Sequence, residues 1–154
     1  FSGLLYGGLM LTKDGVKVIE FNARFGDPET EVVLPRIESD LFEVMYEVAS
    51  HDLRTAKLSV NPNLCLGVVM ASEGYPKSYQ KGFEIQLPAL ADGDVIYHMG
   101  TKRDGGRLLS NGGRVLMVEA MAPTLAEARR RVYETLIPGV KCDNFFFRRD
   151  IAEF

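Results

Sequence analysis

Tryptophan is absent from the 154 residues of this sequence, and cysteine occurs only twice. Cys65 and Cys142 lie far apart along the chain, and neither belongs to the paired spacing of a metal or redox site. Single thiols of this kind argue against a secreted domain held together by disulfides. We therefore expect a cytoplasmic protein.

Long apolar runs are also missing. No run approaches the ~18 residues that a membrane span requires, and the N-terminus lacks the basic and apolar regions of a signal peptide. Positive charge is not in excess either, since 18 lysines and arginines face 21 aspartates and glutamates. A nucleic-acid-binding protein normally carries a basic face. The sequence thus predicts neither a membrane nor a nucleic acid as partner.

The remaining composition is that of an ordinary globular protein, with 46% apolar and 25% charged residues. Such a chain is long enough for one core or for two small lobes. The turn-rich connector Asn61-Pro62-Asn63 is the best candidate boundary. We predict an α+β chain with two domains, residues 1–60 and residues 61–154.

The first domain is predicted to open with a β-hairpin. An apolar run over residues 4–11 precedes the turn signal at 13–15, and a second strand follows over residues 16–25. The spacing of apolar residues then predicts a helix over 40–51, with Ser39 as its N-cap.

The second domain is predicted to be a small lobe of mixed or antiparallel strands with one helix. Its continuously apolar run at 65–72 predicts a buried strand. Thr124 and Glu127 form a capping box, which starts a helix that ends near Leu136. Further strands are predicted over residues 83–87, 95–101, 107–109, 115–121 and 143–149.

The chemically richest stretch is the predicted strand that ends near Phe25. A period of two divides it between an apolar face and a polar face. The predicted core face holds Ile19, Phe21, Ala23 and Phe25, and the opposite face holds Glu20, Asn22 and Arg24. A carboxylate and a carboxamide are oxygen ligands suited to Mg²⁺, and a guanidinium can bind two phosphate oxygens at once. The break at Gly26-Asp27-Pro28 is suited to the wall of such a site.

Spacing alone leaves other interpretations open. Glu20 and Arg24 can equally form an ion pair on the solvent side of an edge strand. Asn111-Gly112-Gly113-Arg114 allows the backbone to approach an anion beside a cation, but Asn-Gly is also a common turn dipeptide.

The run Ile-Glu-Phe-Asn-x-Arg-Phe-Gly-Asp-Pro-Glu-Thr-Glu at residues 19–31 resembles the signature of the glycinamide ribonucleotide synthetases. These enzymes, also called phosphoribosylamine–glycine ligases, belong to the ATP-grasp superfamily. The resemblance covers nearly the whole chain, because later blocks follow in the same order. Those blocks are Leu66-Gly67-Val68-Val69-Met70-Ala71, Gly74-Tyr75-Pro76, Gly100-Thr101-Lys102 and Asn111-Gly112-Gly113-Arg114-Val115-Leu116.

The resemblance implies the C-terminal part of an ATP-grasp domain, an antiparallel sheet with a helix, followed by a small α+β lobe. It also implies an ATP-dependent carbon–nitrogen ligase of purine biosynthesis that joins glycine to 5-phosphoribosylamine through a glycyl phosphate. Glu20 and Asn22 would hold Mg²⁺ or Mn²⁺, and Arg24 would be the catalytic residue that binds the transferring phosphoryl group of ATP.

The remaining site residues are also assigned through the resemblance. Asp27 and Glu29 are suited to orienting the ammonium group of glycine. Gly112, Gly113 and Arg114 are expected to face the ribose phosphate of the other substrate.

The part of such enzymes that precedes these motifs and binds the nucleotide is missing here, and the sequence begins at Phe1. We therefore expect a fragment that needs the missing N-terminal part and is inactive alone. Two alternatives stay open: another ATP-grasp carboxylate ligase of purine metabolism, and a non-catalytic ligand-binding domain of the same fold.

Overall fold

The computed structural model describes residues 1–53 and 57–153, and it confirms the α+β class. The chain forms two compact units, Phe1–Asn61 and Pro62–Phe154. Over the described residues, no helix has both the length and the apolar character needed to cross a membrane. Both cysteines are free thiols and are half-buried.

The first unit opens with the expected antiparallel hairpin of β1 (Tyr6–Thr12) and β2 (Gly15–Asn22). The turn is closed by Thr12, whose Oγ1 donates to the carbonyl of Gly15 at 2.8 Å. Gly15 has a φ of 98°, a conformation that favours glycine. The Asp-Gly turn signal therefore correctly located the hairpin.

Three short helical segments follow the hairpin: α1 (Glu29–Val33), a 3-10 turn (Leu34–Arg36) and α2 (Leu41–Ala49). Asp40, and not Ser39, is the N-cap of α2, and its carboxylate accepts a hydrogen bond from the N–H of Phe42 at 2.8 Å. Ser39 instead donates from its Oγ to the carbonyl of Lys57 at 2.8 Å. The predicted N-cap was thus wrong by one residue.

A β-bulge in β2 determines which side chains share a face of the hairpin. Gly8 pairs with Glu20 and the next residue, Leu9, pairs with Val18, so Ile19 is the extra residue. One face consequently carries Leu9, Leu11, Val16, Val18 and Phe21, which we call the apolar face of the hairpin. The opposite face, which we call the polar face of the hairpin, carries Tyr6, Gly8, Met10, Lys17, Glu20 and Asn22.

Two expectations about β2 were wrong. The strand ends at Asn22, so Ala23, Arg24 and Phe25 do not continue its alternation. The apolar side chains also form no core, since Ile19 is 63% exposed and Phe21 is 62% exposed. A two-stranded ribbon has too little area to bury its own apolar face.

The second unit is built on a four-stranded antiparallel sheet of order β4-β7-β3-β8. These strands are β4 (Asp94–His98), β7 (Arg114–Ala122), β3 (Leu64–Ser72) and β8 (Phe145–Phe146). A separate hairpin, β5 (Thr101–Asp104) and β6 (Arg107–Ser110), turns at Gly105 and Gly106. The predicted strand at 83–87 is absent and makes only two isolated bridges, and the closing strand is limited to two residues.

One helical segment packs on this sheet. It comprises α3 (Leu125–Arg130), a π-helical stretch (Arg131–Leu136) and α4 (Ile137–Gly139). Thr124 is the N-cap as predicted, and its Oγ1 accepts from the N–H of Glu127 at 3.2 Å. The core between helix and sheet includes Val68, Leu116, Val118, Ala128, Val132 and Leu136.

The helical segment is tied to the sheet by Arg131. Its guanidinium donates to the carbonyls of Met121 at 3.0 Å and Asp92 at 2.7 Å. It also lies 2.5 Å from the carboxylate of Asp94, whose side chain is only 4% exposed. This last contact is an ion pair without an aligned hydrogen bond.

Candidate functional site

Glu20 and Asn22 meet on the polar face of the hairpin. The Nδ2 of Asn22 donates to the Oε1 of Glu20 at 2.9 Å. Both side chains come from one strand and are two residues apart, so the rigid backbone sets their separation. Two oxygen-bearing groups of the kind that bind hard cations are thereby placed side by side.

The neighbouring strand leaves room for this pair. Gly8 lies opposite Glu20, and a Cβ at Gly8 would stand 3.2 Å from the Cγ of Glu20. Gly7 lies on the other face, where a Cβ would meet the Phe21 ring at an ordinary 3.4 Å. A side chain at position 8 would therefore push on the carboxylate, whereas one at position 7 would not.

Glu29 joins the same region through Tyr6. The hydroxyl of Tyr6 donates to the Oε1 of Glu29 at 3.0 Å, and Tyr6 pairs with Asn22 across the hairpin. This hydrogen bond, together with the negative charges of Glu29 and Glu20, raises the pKa of Tyr6 above its ordinary value. Glu29 also packs against Gly26, where an added Cβ would overlap its carboxylate.

Arg24 and Asp27 lie on the irregular segment that follows β2. The guanidinium of Arg24 is exposed, and it donates to the carbonyl of Phe25 at 2.6 Å. Asp27 is exposed and precedes α1. The structure thus brings Glu20 and Asn22 together on one strand and places Arg24 after the strand end.

The described residues contain no group of three or more His, Cys, Asp or Glu side chains able to enclose a metal ion. A complete protein cage is therefore not formed by this part of the chain. Mg²⁺ does not require one, because it keeps several waters and takes one or two carboxylate ligands plus substrate phosphates. The Glu20–Asn22 pair fits that coordination.

The predicted substrate loop, residues 111–114, lies at the start of β7 and is packed tightly. A Cβ at Gly100 would stand 2.5 Å from the carbonyl oxygen of Arg114 and 2.8 Å from the Cα of Gly112. A Cβ at Gly113 would overlap the ring of Tyr75. Close packing therefore accounts for the glycines of this loop.

A cleft of about 510 Å³ lies beside Tyr79, whose ring is near Gly113. Its volume is in the range of small-molecule sites. Its lining presents polar and apolar surface in equal measure and comprises Glu73, Ser78, Tyr79, Gln80 and Asn144.

Sequence reasoning did not single out Ser72. It named Tyr6, Gly8 and Tyr75 only within blocks that resemble the family, and it gave none of them a role. Tyr6 and Gly8 could have been found by pairing residues across the predicted turn, had the bulge been known. The contacts of Ser72 and Tyr75 could not be predicted in this way, because they join residues about forty positions apart in sequence.

Comparison with known proteins extends these observations. Residues 65–154 match the family model described as phosphoribosylglycinamide synthetase, C domain. Residues 1–30 match the model described as phosphoribosylglycinamide synthetase, ATP-grasp (A) domain.

Similar proteins include phosphoribosylamine–glycine ligases from several bacteria. That of Halalkalibacterium halodurans is 53% identical over 99% of this chain and 35% of its own length. That of Vibrio vulnificus is 42% identical over 99% of this chain and 36% of its own length. The crystal structure of phosphoribosylamine–glycine ligase from Thermotoga maritima superposes with a TM-score of 0.79, at 35% identity, over 95% of this chain and 36% of that chain.

The match of residues 1–30 places the start of this α+β chain in the ATP-grasp class. The chain spans about a third of the length of the curated relatives it matches. It belongs to the phosphoribosylglycinamide synthetase family.

Proposed function

We propose that this chain is part of a cytoplasmic carbon–nitrogen ligase of purine biosynthesis, which joins glycine to 5-phosphoribosylamine and consumes ATP. The observation that carries the proposal is the Glu20–Asn22 pair on the polar face of the hairpin, 2.9 Å apart, in a chain of this family. An ion pair between Glu20 and Arg24 on the surface would not require Asn22 beside Glu20 or a glycine at position 8. A binding module of unrelated chemistry would not require them either.

The proposed reaction has two steps. A carboxylate oxygen of glycine attacks the γ-phosphorus of ATP, the bond to the β-phosphate oxygen breaks, and ADP leaves. The amine of phosphoribosylamine then attacks the carbonyl carbon of the glycyl phosphate, phosphate leaves as the amide forms, and the proton lost by the nitrogen is carried away by the phosphate. Both steps concentrate negative charge, so catalysis depends mainly on fixed positive charge and correct positioning.

In this proposal Glu20 and Asn22 would hold Mg²⁺ or Mn²⁺, which supplies neutralising charge to the phosphates of ATP when bound. The amide of Asn22 must rotate to present its oxygen, since its nitrogen now faces Glu20. Gly8 keeps space free beside the Glu20 side chain.

Arg24 is proposed to bind the phosphoryl group that is transferred. Its exposed guanidinium gives up its bond to the backbone carbonyl of Phe25 when it turns toward an anion. Asp27 and Glu29 are proposed to orient the ammonium group of glycine. Glu29 is well prepared for this role, because Tyr6 and Gly26 fix the position of its carboxylate.

The second unit is proposed to bind the phosphoribosyl end of the other substrate. Arg114 supplies positive charge at the start of β7, and Gly112 and Gly113 bring the backbone close to it. The neighbouring cleft of about 510 Å³ offers hydroxyl and carboxamide groups, from Ser78, Tyr79 and Asn144, that suit the hydroxyls of a ribose.

The apolar face of the hairpin indicates a further requirement. Leu11 is 82% exposed and Val18 is 55% exposed on a surface without polar interruption. We propose that the remaining part of a longer enzyme covers this face, since relatives of this chain are nearly three times as long. That missing part is also proposed to supply the adenine and triphosphate contacts.

Titration with Mn²⁺, followed by electron paramagnetic resonance, tests the metal site on the chain itself. Glu20→Gln and Asn22→Ala are each expected to weaken binding about 10- to 100-fold, because each removes one of the proposed protein ligands. Glu43→Gln changes an exposed carboxylate on α2 and is the matched control. Equal binding by all four proteins would refute the site and favour the non-catalytic alternative.

A further inference from the structure

Ser72 is a fully buried polar residue at the end of β3, and it is bonded twice to the substrate loop. Its Oγ donates to the carbonyl of Gly112 at 2.9 Å, and its backbone N–H donates to the carbonyl of Gly113 at 2.8 Å. Breaking either bond would leave buried polar groups without a partner, which is costly. Ser72 therefore fixes the two peptide groups that precede Arg114.

These bonds also set the direction of the backbone amides. In a planar trans peptide the N–H points opposite to the C=O. Because the carbonyls of Gly112 and Gly113 turn toward Ser72, the N–H groups of Gly113 and Arg114 point away from it. The orientation of these two N–H groups is thus set by the bonds to Ser72.

Tyr75 holds the same loop from another direction. Its N–H donates to the carbonyl of Ser72 at 3.0 Å, and its ring fills the space that a side chain at Gly113 would occupy. Gly113 is not one of the glycines with a positive φ. The ring of Tyr75, and not the backbone conformation, thus explains the missing side chain. Tyr79 supports the ring at 6.2 Å between centroids.

We propose that Ser72 and Tyr75 are positioning residues for the phosphoribosyl end of the substrate, an inference that rests on the proposed function of the 111–114 loop. Ser72 orients the loop and the Tyr75 ring holds it in place, so that Arg114 meets the phosphate from an already fixed backbone. Neither residue needs to touch the substrate. Affinity rises because less conformational freedom is lost on binding.

Binding of ribose 5-phosphate to the 154-residue chain, followed by NMR titration, tests this role, with ribose as the control ligand. Ser72→Ala and Tyr75→Ala are each expected to weaken ribose 5-phosphate about five- to tenfold, as for the loss of one ordering contact. Weak binding of ribose should not change. Tyr75→Phe keeps the ring and should bind like the parent chain.

A double-mutant cycle separates positioning from general instability. Gly113→Ala forces a methyl group into the Tyr75 ring and is expected to weaken ribose 5-phosphate about tenfold. In a Tyr75→Ala background the overlap with the Tyr75 ring is gone and Tyr79 stays close, with its Cε1 3.2 Å from the added methyl group. The same substitution should then weaken binding less than about twofold. Equal effects of Gly113→Ala in both backgrounds would overturn the inference. This pair also decides the matter if Ser72→Ala does not fold.

Two outcomes distinguish this inference from the proposed function. If Arg114→Ala abolishes binding while Ser72→Ala and Tyr75→Ala bind normally, the positioning role is wrong and the phosphate site stands. If the parent chain does not bind ribose 5-phosphate, the proposed phosphate site fails and the positioning role fails with it.

Discussion

Gly8 lies opposite Glu20 in the hairpin, where an added Cβ would stand 3.2 Å from the Cγ of the carboxylate side chain. That distance is too short for comfortable contact, so the absence of a side chain at position 8 keeps Glu20 in its rotamer. The relationship connects a glycine with no chemistry of its own to the proposed metal site.

Gly8→Ala is accordingly expected to weaken Mn²⁺ binding about fivefold, the effect of forcing one side chain away from its preferred rotamer. Gly7→Ala is the matched control, because its methyl group would only touch the Phe21 ring at 3.4 Å. Metal titration of the two variants checks the prediction. Similar losses in both would show that the hairpin as a whole, and not the space beside Glu20, is responsible.

Tyr6 is expected to make the chain less stable as the pH rises above about 10. Its hydrogen bond to Glu29 and the nearby carboxylates raise its pKa above the ordinary 10.0. A raised pKa means that the folded chain retains this proton longer than the unfolded chain does. The stabilisation is thus complete below about pH 10 and is lost as the pH rises through the higher folded value.

Urea unfolding between pH 9 and 11 tests this sign, with Tyr6→Phe as the comparison. The parent chain should lose stability more steeply than the variant as the pH rises. The Glu29→Ala variant should behave like Tyr6→Phe, because it removes the acceptor of the hydrogen bond, which is the largest cause of the shift. Parallel curves for all three would contradict the assignment.

Arg131 is expected to be essential for the stability of the second unit. Arg131→Met leaves the carboxylate of Asp94, only 4% exposed, without its cation, and should cost about 3 kcal/mol in the free energy of unfolding. Asp94→Leu in the same background should restore part of that loss, because the unpaired charge is gone. An additive double variant would show that the ion pair contributes little.

The 154-residue chain should not turn over by itself. A coupled assay of ADP release is expected to give no glycine-dependent signal, because the proposed contacts to adenine and triphosphate lie outside this chain. Adding the remaining part of the enzyme as a separate polypeptide should restore activity. Val18→Asp on the apolar face of the hairpin should prevent that restoration, whereas Lys17→Asp on the opposite face should not. Glycine-dependent turnover by the chain alone would refute the prediction that activity requires the remaining part of the enzyme.

Local patterns predicted those parts of the fold that depend on local sequence. The turn before Gly15, the cap at Thr124 and the buried strand that ends at Ser72 all follow from residues close together in the chain. The bulge at Ile19 could not be predicted from local sequence, because an extra residue is defined only by its pairing with the partner strand. The exposure of Phe21 could not be predicted either, since periodicity indicates which side chains share a face but not what covers that face.

The candidate site divides in the same way. Glu20 and Asn22 could be paired from sequence because two residues on one strand are neighbours by geometry. The hydrogen bond of Tyr6 to Glu29 and the contact of Tyr75 with Gly113 join residues 23 and 38 positions apart, and such contacts are decided by tertiary packing.

The extra residue in β2 makes the length of this strand matter as much as its composition. Val18 and Glu20 now lie on opposite faces of the hairpin. If Ile19 were deleted, the two residues would be adjacent in a regular strand and would still lie on opposite faces. Glu20 and Asn22 would therefore stay on the polar face. A regular strand that keeps Ile19 would instead place Glu20 and Asn22 on the apolar face, together with Val18. Deletion of Ile19 is thus predicted to disturb the Glu20–Asn22 pair less than a change that removes the bulge and keeps the strand at its full length.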